Sequence, residues 1–302
     1  MTFNPHPHTA DAVDGLRHEP WPRAESVEDF RYNLAVVRDR IAAACARVDR
    51  DPASVRLLPV SKTVDVAHLR LAYAAGCRLL GENKVQEAHG KWEAMADLSD
   101  LRWSVIGHLQ TNKAKRVARF ATEFQALDSL RVAEALDRHL QAKGRSLDVF
   151  VQVNTSGEAS KFGLPPDEVP GFLRALPVFG ALRVRGLMTL AIFSADTARV
   201  RACFARLRTL RDRLRQDVPP TVGLNELSMG MSGDFAVAIE EGATVVRVGQ
   251  AIFGARSTPD SDYWPDASSP PPLLKVHTHE SHGPRHSARP LRRPRHAGAA
   301  TA

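Results

Sequence analysis

The stretch LSMGMSGDFAVAIEEGATVVRVGQAIFG (227–254) decides the fold of this 302-residue chain. It holds most of one short apolar run, at 225–230, and all of a second, at 244–249, and each run leads through glycine into a helical pattern. A strand followed directly by a helix is the repeating unit of a parallel α/β sheet. Two such units in succession predict that architecture for this part of the chain.

Six further apolar runs precede this stretch, at residues 56–60, 78–83, 101–107, 123–128, 147–154 and 182–190. Helical patterns follow the runs, at about 65–76, 84–96, 112–119, 129–143, 167–176, 196–216 and 233–241. A first helix, roughly 27–48, has Ser26 as its expected N-cap. Eight strand–helix units in about 230 residues favour a single (β/α)8 TIM barrel with an extra N-terminal helix. A doubly wound sheet is the alternative, but no GxGxxG motif supports it.

The two ends of the chain differ in composition from its centre. Four of the 20 prolines lie in residues 1–25 and eight lie in residues 258–302. Neither segment shows a helical or strand period, which predicts a disordered N-terminal tail and a disordered Pro/His/Arg-rich C-terminal tail. The barrel is then expected over 26–257, with no second β domain after it. Neither a signal peptide nor an apolar run of membrane-spanning length is visible.

Charge and cysteine content narrow the function. The net charge is +7, and the centre carries +7 while the two ends carry −2 and +2. This excess is spread over the centre, which argues against nucleic acid and suits an anionic small molecule. The three cysteines show no CxxC spacing and indicate reduced thiols in a cytoplasmic protein.

Lys62 follows the apolar strand LLPVS, so its side chain is expected to start inside the barrel mouth. Partial desolvation of an amine there favours the neutral, nucleophilic form that a Schiff base requires. The alternative is a lysine at the rim in a salt bridge, for instance with Glu82. The sequence places Glu82, Lys84 and Glu87 on the surface or the rim.

The loops after the seventh and eighth strands predict a phosphate site. In the first loop, Gly230 and Gly233 are expected where the backbone must approach closely, and Ser228 or Ser232 can donate a hydroxyl. In the second loop, Gly249 and Gln250 precede a short helical turn. In TIM barrels these two loops commonly bind phosphate. Two ordinary βα turns with N-caps are the alternative.

Three further side chains near the strand ends have two interpretations each. Arg247 either points into the barrel, toward an acceptor such as a phosphate or a pyridine nitrogen, or points outward. Asn83 either donates to a phenolic oxygen or caps the helix that starts at Lys84. Met188 either lines a flat aromatic ligand or packs in the core. His108 is either an acid/base group or structural.

Together these motifs resemble the pyridoxal phosphate homeostasis protein family, which is related in fold to the N-terminal barrel of alanine racemase. The resemblance covers roughly 27–257, and the block LSMGMSxD…VRVGxxIFG is highly specific. The motifs that carry it are VSKT (60–63), GENKVQE (81–87), WSVIGHLQTNK (103–113), VNTSGEASKFGL (153–164), RGLMTL (185–190) and the stretch 227–256.

The resemblance implies roles for individual residues. Lys62 would hold pyridoxal 5′-phosphate as a Schiff base, and Asn83 would sit near the cofactor ring. Arg247 would face the pyridine nitrogen, which disfavours carbanion chemistry. The cofactor phosphate would lie in a cradle of Ser228, Gly230, Gly249 and Gln250. The family usually has threonine in place of Gln250, so a hydroxyl donor is lost there.

Two functions from different classes fit this reading. The first is a monomeric, non-catalytic carrier that buffers the cofactor or delivers it to apo-enzymes. The second is a racemase-like enzyme, which needs a second base, usually a tyrosine from an added β domain. Tyr32 and Tyr73 lie in predicted helices and Tyr263 in the predicted tail, so the carrier is favoured. A Schiff-base aldolase acting on a phosphosugar is a third, weaker option.

Overall fold

Eight strands alternate with helices in a computed structural model of the chain, which describes residues 22–219 and 221–255. The strands are Arg56–Pro59 (β1), Leu79–Glu82 (β2), Arg102–Val105 (β3), Glu123–Leu127 (β4), Leu147–Gln152 (β5), Leu182–Met188 (β6), Glu226–Ser228 (β7) and Val245–Val248 (β8). The helices are Val27–Ala46 (α1), Val66–Ala74 (α2), Val85–Ala94 (α3), Ala114–Phe120 (α4), Leu130–Gln141 (α5), Val169–Ala175 (α6), Thr197–Leu214 (α7), Phe235–Glu240 (α8) and Gln250–Phe253 (α9).

All strand pairs are parallel, and the strands follow the order β1-β8-β7-β6-β5-β4-β3-β2. The two edges of this sheet meet through a parallel bridge between Val60 and Gly81. There the Ser61 amide donates to the Gly81 carbonyl oxygen at 2.9 Å. The sheet therefore closes on itself, and the predicted TIM barrel with an extra N-terminal helix is confirmed.

Local chemistry sets where the helices begin. Ser26 and Asp29 form a capping box at α1, in which each side chain accepts from the other residue's backbone N–H. Asp65 caps α2, and Asp196 caps α7. The apolar face of α1 recurs at helical spacing and is buried, through Phe30, Leu34, Val37 and Ile41.

The N-terminal boundary differs from the expectation. Residues 22–25 are described, and Ala24 is only 1% exposed. A Cβ atom on Gly254 would lie 2.5 Å from the Cα atom of Arg23, so this segment runs directly beside the end of α9. The expected boundary at residue 25 thus falls inside a packed segment. Residues 1–21 of the predicted N-terminal tail and the whole predicted C-terminal tail, 258–302, lie outside the described residues.

Within the described ranges, no helix combines the length and the apolar character needed to cross a bilayer.

Candidate functional site

A cavity of about 430 Å³ opens at the carboxyl ends of β1 and β8. Three of the predicted site residues line it: Lys62, Gly249 and Gln250. Lys62 is partly exposed and directly follows the buried Ser61. Lys62 therefore lies on the same cavity as the turn that starts α9.

The six other predicted residues lie outside the lining of this cavity: Asn83, Met188, Ser228, Gly230, Ser232 and Arg247. Met188, Ser228 and Arg247 are buried at the carboxyl end of the barrel interior, where β6, β7 and β8 are neighbours. The predicted residues thus fall into two neighbouring groups, joined by β8, which carries Arg247 two residues before Gly249.

Arg247 points into the barrel, which excludes the outward alternative. Its guanidinium donates to the Ser228 hydroxyl oxygen at 2.7 Å and to the Thr189 carbonyl oxygen at 2.8 Å. Burial lowers the pKa of Arg247 to about 10, against the opposing attraction of Asp234. The guanidinium therefore keeps its positive charge at neutral pH.

A column of polar side chains continues from Arg247 through the barrel interior; we call it the polar column. Its members are Arg56, Ser104, Glu123, Gln125, Ser228 and Arg247. The Ser228 hydroxyl donates to Gln125 Oε1 at 2.6 Å, and the Gln125 amide donates to Glu123 Oε1 at 2.6 Å. Because its proton goes to Gln125, the Ser228 hydroxyl supports Arg247 and is not a free donor.

The loops after β7 and β8 are joined to each other. The Gly249 amide donates to the Ser232 hydroxyl oxygen at 3.3 Å, and the Met231 amide donates to Asp234. Gly230 has φ +92°, and a Cβ atom there would lie 2.6 Å from the Cβ of Ala238. Glycine is required at 230 on both counts. The close approach expected at Gly233 is wrong, because a Cβ atom there would meet nothing within 4 Å. The predicted pair of glycine-containing loops is therefore built as one unit.

Asn83 follows β2 and is half-buried. Its predicted alternative role as a helix cap is wrong, because Lys84 is the N-cap of α3 and no side chain bonds to the first turn there. A Cβ atom on Gly107 would lie 2.3 Å from the Asn83 carbonyl oxygen. The close approach of the loops after β2 and β3 fixes the Asn83 backbone.

The expected surface position of Glu82 is wrong. Its side chain is fully buried, and Oε1 accepts from the Ser61 hydroxyl at 2.6 Å and from the Lys91 ammonium at 2.7 Å. Burial raises the pKa of Glu82, although the charge of Lys91 opposes the shift. The ion pair of Glu82 is thus with Lys91, a residue that the sequence analysis missed. The Glu87–Lys91 spacing of four residues on a predicted helix was the available signal.

His108 has a contact that also escaped the sequence analysis. Its ring stacks on Phe162 with centroids 4.0 Å apart, and Nδ1 lies 3.5 Å from Asp128 Oδ2. Burial raises the pKa of Asp128. The contacts of His108 with Phe162 and Asp128 join the loop after β5 to the ends of β3 and β4. They support the structural interpretation of His108.

Known proteins match this chain over the region that forms the barrel. The family model described as alanine racemase, N-terminal domain, matches residues 30–257. The pyridoxal phosphate homeostasis protein of Pseudomonas aeruginosa is 46% identical over 224 residues, which cover 74% of this chain and 94% of that protein. The corresponding protein of Aquifex aeolicus is 40% identical over 223 residues, covering 74% of this chain and 96% of that protein.

Solved structures agree. PipY of Synechococcus elongatus with PLP bound has a TM-score of 0.66 and 38% identity, covering 74% of this chain and 100% of that chain. The alanine racemase of Streptomyces coelicolor has a TM-score of 0.58 at 19% identity, covering 75% of this chain and 58% of that chain, and shares the fold alone. The chain therefore belongs to the pyridoxal phosphate homeostasis protein family.

Proposed function

We propose that this protein binds pyridoxal 5′-phosphate reversibly, as a Schiff base on Lys62, and buffers or delivers it in vitamin B6 homeostasis. The observation that carries the proposal is the cavity on which Lys62 meets Gly249 and Gln250. An amine and a helix-starting turn on one cavity suit a ligand with an aldehyde and a phosphate. The names of the relatives and the PLP-bound PipY structure support the same ligand.

The described residues fit the phosphate. A Cβ atom on Gly249 would lie 3.1 Å from the Val60 carbonyl oxygen, so glycine is what allows this turn to lie against the end of β1. We assign the phosphate to the two joined loops, through Gly230, Ser232, Gly249 and Gln250. Ser228 is assigned to orient Arg247, since its hydroxyl already donates to Gln125.

We assign the ring of the cofactor to the neighbouring group of residues around Arg247. When bound, the cofactor supplies an electrophilic aldehyde and an electron-withdrawing ring. Arg247, charged and buried, opposes protonation of the ring nitrogen and so weakens that withdrawal. Asn83 is assigned to the phenolic oxygen and Met188 to the face of the ring. These assignments favour holding the cofactor over running carbanion chemistry on it.

Lys62 carries the covalent step. Its neutral amine attacks the aldehyde carbon, a carbon–nitrogen double bond forms, and the carbonyl oxygen leaves as water. Water reverses the reaction and frees the aldehyde. An amine of a recipient protein can instead form the same double bond, and Lys62 then leaves as the free amine. Either route returns the cofactor unchanged, as a carrier requires.

The racemase-like enzyme is the second candidate, and the tyrosines count against it. Tyr32 lies on α1 with 65% of its surface exposed. Tyr73 lies on α2, and its hydroxyl donates to Asp100 at 2.5 Å. Neither lines the cavity, and Tyr263 lies outside the described residues. We therefore infer a protein without a committed reaction of its own.

The same proposal extends to setting and partners. Cys45, Cys77 and Cys203 are free and buried, as expected for a cytoplasmic protein. We infer that the protein acts as a monomer, and that apo-enzymes requiring the cofactor are its partners. No role in binding nucleic acid or a membrane is proposed.

The test is borohydride trapping. We expect wild-type protein mixed with pyridoxal phosphate and then reduced to carry the label on Lys62, and Lys62→Ala to lose both the label and the yellow absorption. Lys84→Ala, which changes an exposed lysine on the same side of the barrel, is the matched control and should keep both. Label that persists in Lys62→Ala, or that maps to Lys84, would overturn the assignment.

A further inference from the structure

Lys91 on α3 is a buried lysine whose three donor hydrogens all have acceptors. Its ammonium donates to the Ser61 carbonyl oxygen at 2.8 Å, to Glu82 Oε1 at 2.7 Å and to Glu87 Oε1 at 2.6 Å. The residue is 6% exposed. Lysines are almost never buried unless they are paired. This one reaches from a helix on the outside of the barrel to the carboxyl end of β1.

The partners of Lys91 hold the residues on both sides of Lys62. The Ser61 hydroxyl donates to Glu82 Oε1 at 2.6 Å, and the Thr63 amide donates to Glu87 Oε1 at 2.6 Å. We call Lys91, Glu82 and Glu87 the α3 clamp. Lys62 lies between the two peptide groups that this clamp fixes.

The backbone at Lys62 is a turn that needs such support. The Val64 amide donates to the Ser61 carbonyl oxygen at 3.1 Å, which closes a β-turn with Lys62 at its first corner. Thr63, at the second corner, has φ +67°. This left-handed conformation is unfavourable for a β-branched residue and persists where surrounding contacts enforce it. Glu87, by accepting from the Thr63 amide, supplies one such contact.

We propose that Lys91 is a positioning residue, which through Glu82 and Glu87 fixes the turn 61–64 and so aims the Lys62 amine at the bound aldehyde. The inference rests on the proposed function of Lys62. Its physical basis is that β1 pairs with its neighbours only as far as Ser61. Beyond that point the clamp replaces the sheet in holding the chain, and a displacement of about 1 Å in the reacting atom is enough to slow a reaction about 100-fold.

Lys91 also supplies the positive charge that faces the carboxylates of the clamp. Two carboxylates face one ammonium, Glu82 is fully buried, and its Oε2 has no hydrogen-bond partner within the described structure. Lys91→Met therefore removes the contact to Ser61 and at the same time leaves a buried charge. The double variant Lys91→Met/Glu82→Gln removes that charge and still lacks the contact, so the two variants separate positioning from stability.

The first readout uses protein without cofactor. We expect the Thr63 amide to exchange with solvent faster in Lys91→Met/Glu82→Gln than in wild type. The matched control is Lys143→Met, an exposed lysine at the end of α5, which should leave this exchange unchanged. Unchanged exchange in the double variant would show that the sheet alone holds the turn, and would overturn the proposal.

The second readout is the rate at which pyridoxal phosphate forms a Schiff base with Lys62, followed by absorption. We expect a slowing of about 10- to 100-fold in the double variant, with its thermal unfolding restored toward wild type. Recovery of the rate together with stability would make Lys91 merely structural. If the lysine variants do not fold, Glu87→Ala, at a side chain that is 26% exposed, removes the acceptor of the Thr63 amide and carries the same test with the same outcomes.

The two proposals fail in different ways. If wild-type protein forms no Schiff base on Lys62, the proposed function is wrong, while the Thr63 exchange still reports whether the clamp holds the turn. If wild-type protein forms the Schiff base and the clamp variants form it equally fast, only the positioning role of Lys91 is wrong.

Discussion

The polar column fixes the direction of each hydrogen bond at Arg247. The Glu123 carboxylate accepts from Ser104, Gln125 and Arg56, so the amide nitrogen of Gln125 must face it. The Gln125 carbonyl oxygen then faces Ser228, whose hydroxyl donates to it and accepts from Arg247. Arg247 is thus held by a hydroxyl and a backbone carbonyl, and no carboxylate contacts it among the described residues. Its charge stays available to a ligand.

Gly107 gives a prediction at a single atom. In Gly107→Ala the new Cβ would lie 2.3 Å from the Asn83 carbonyl oxygen, a backbone atom that cannot rotate away. We expect a loss of about 1–3 kcal/mol in the free energy of unfolding, measured in urea, because both loops must shift. Weaker binding of pyridoxal phosphate should accompany it, since Asn83 moves.

Gly90→Ala is the control for that substitution. Gly90 lies on α3, and a Cβ atom there would meet nothing within 4 Å. Alanine should therefore stabilise the helix by about 0.5–1 kcal/mol. A Gly107→Ala variant as stable as wild type would show that the loops after β2 and β3 adjust freely, against the close approach described here.

At the scale of elements, strands and helices could be predicted from the apolar pattern, but polar networks could not. The pattern located α1 from residue 27 and β8 within 244–249, because burial and period follow directly from residue type. It misplaced Glu82, because a glutamate at a strand end looks solvated until its partner is known. Lys91 lies on the next helix, and only the three-dimensional packing of α3 brings its ammonium to Glu82.

The attachment of the N-terminal segment to α2 should depend on pH. His68 lies between Asp65 and Glu25, with Arg23 beside Asp65 and His68. The hydrogen bond to Asp65, followed by that to Glu25, raises the pKa of His68 above its ordinary 6.5. A raised pKa means that protonated His68 stabilises the cluster, fully below pH 6.5, and that this contribution is lost as the pH rises through the raised value.

Trypsin cleavage after Arg23 measures this attachment. Below the raised pKa of His68 we expect wild type to be cut more slowly than His68→Gln, and the two rates should converge at alkaline pH. Comparing variants at each pH cancels the pH dependence of the protease. His139→Gln, at a histidine on α5, should behave as wild type throughout. Equal cleavage rates for wild type and His68→Gln at pH 6 would show that His68 does not hold the N-terminal segment against α2.

At the scale of the whole molecule, the barrel brings its two groups of site residues together through strand order. β1 and β8 are neighbours although they lie at opposite ends of the barrel sequence. Lys62 therefore meets Gly249 on one cavity, while Arg247, on the same β8, reaches the interior beside β7. A single closed sheet thus supplies an amine, a glycine-containing turn and a buried cation from its own strands.

That completeness predicts binding without turnover. Racemisation needs a base on each face of the ring, and no tyrosine lines the cavity among the described residues. Exchange of the α-proton needs only one base, but it also needs the ring to withdraw electrons, which Arg247 weakens. Incubation of the cofactor-loaded protein with L-alanine in deuterated water should therefore exchange the α-proton far more slowly than about 1 s⁻¹, the lower end of ordinary enzyme turnover.

The Arg247→Glu variant should exchange the α-proton faster than wild type in the same assay. A carboxylate facing the ring nitrogen favours its protonation and strengthens the electron withdrawal that Arg247 suppresses, so exchange should rise, provided that urea unfolding shows the variant folded. Exchange in wild type at about 1 s⁻¹ or faster would establish an enzyme in place of a carrier.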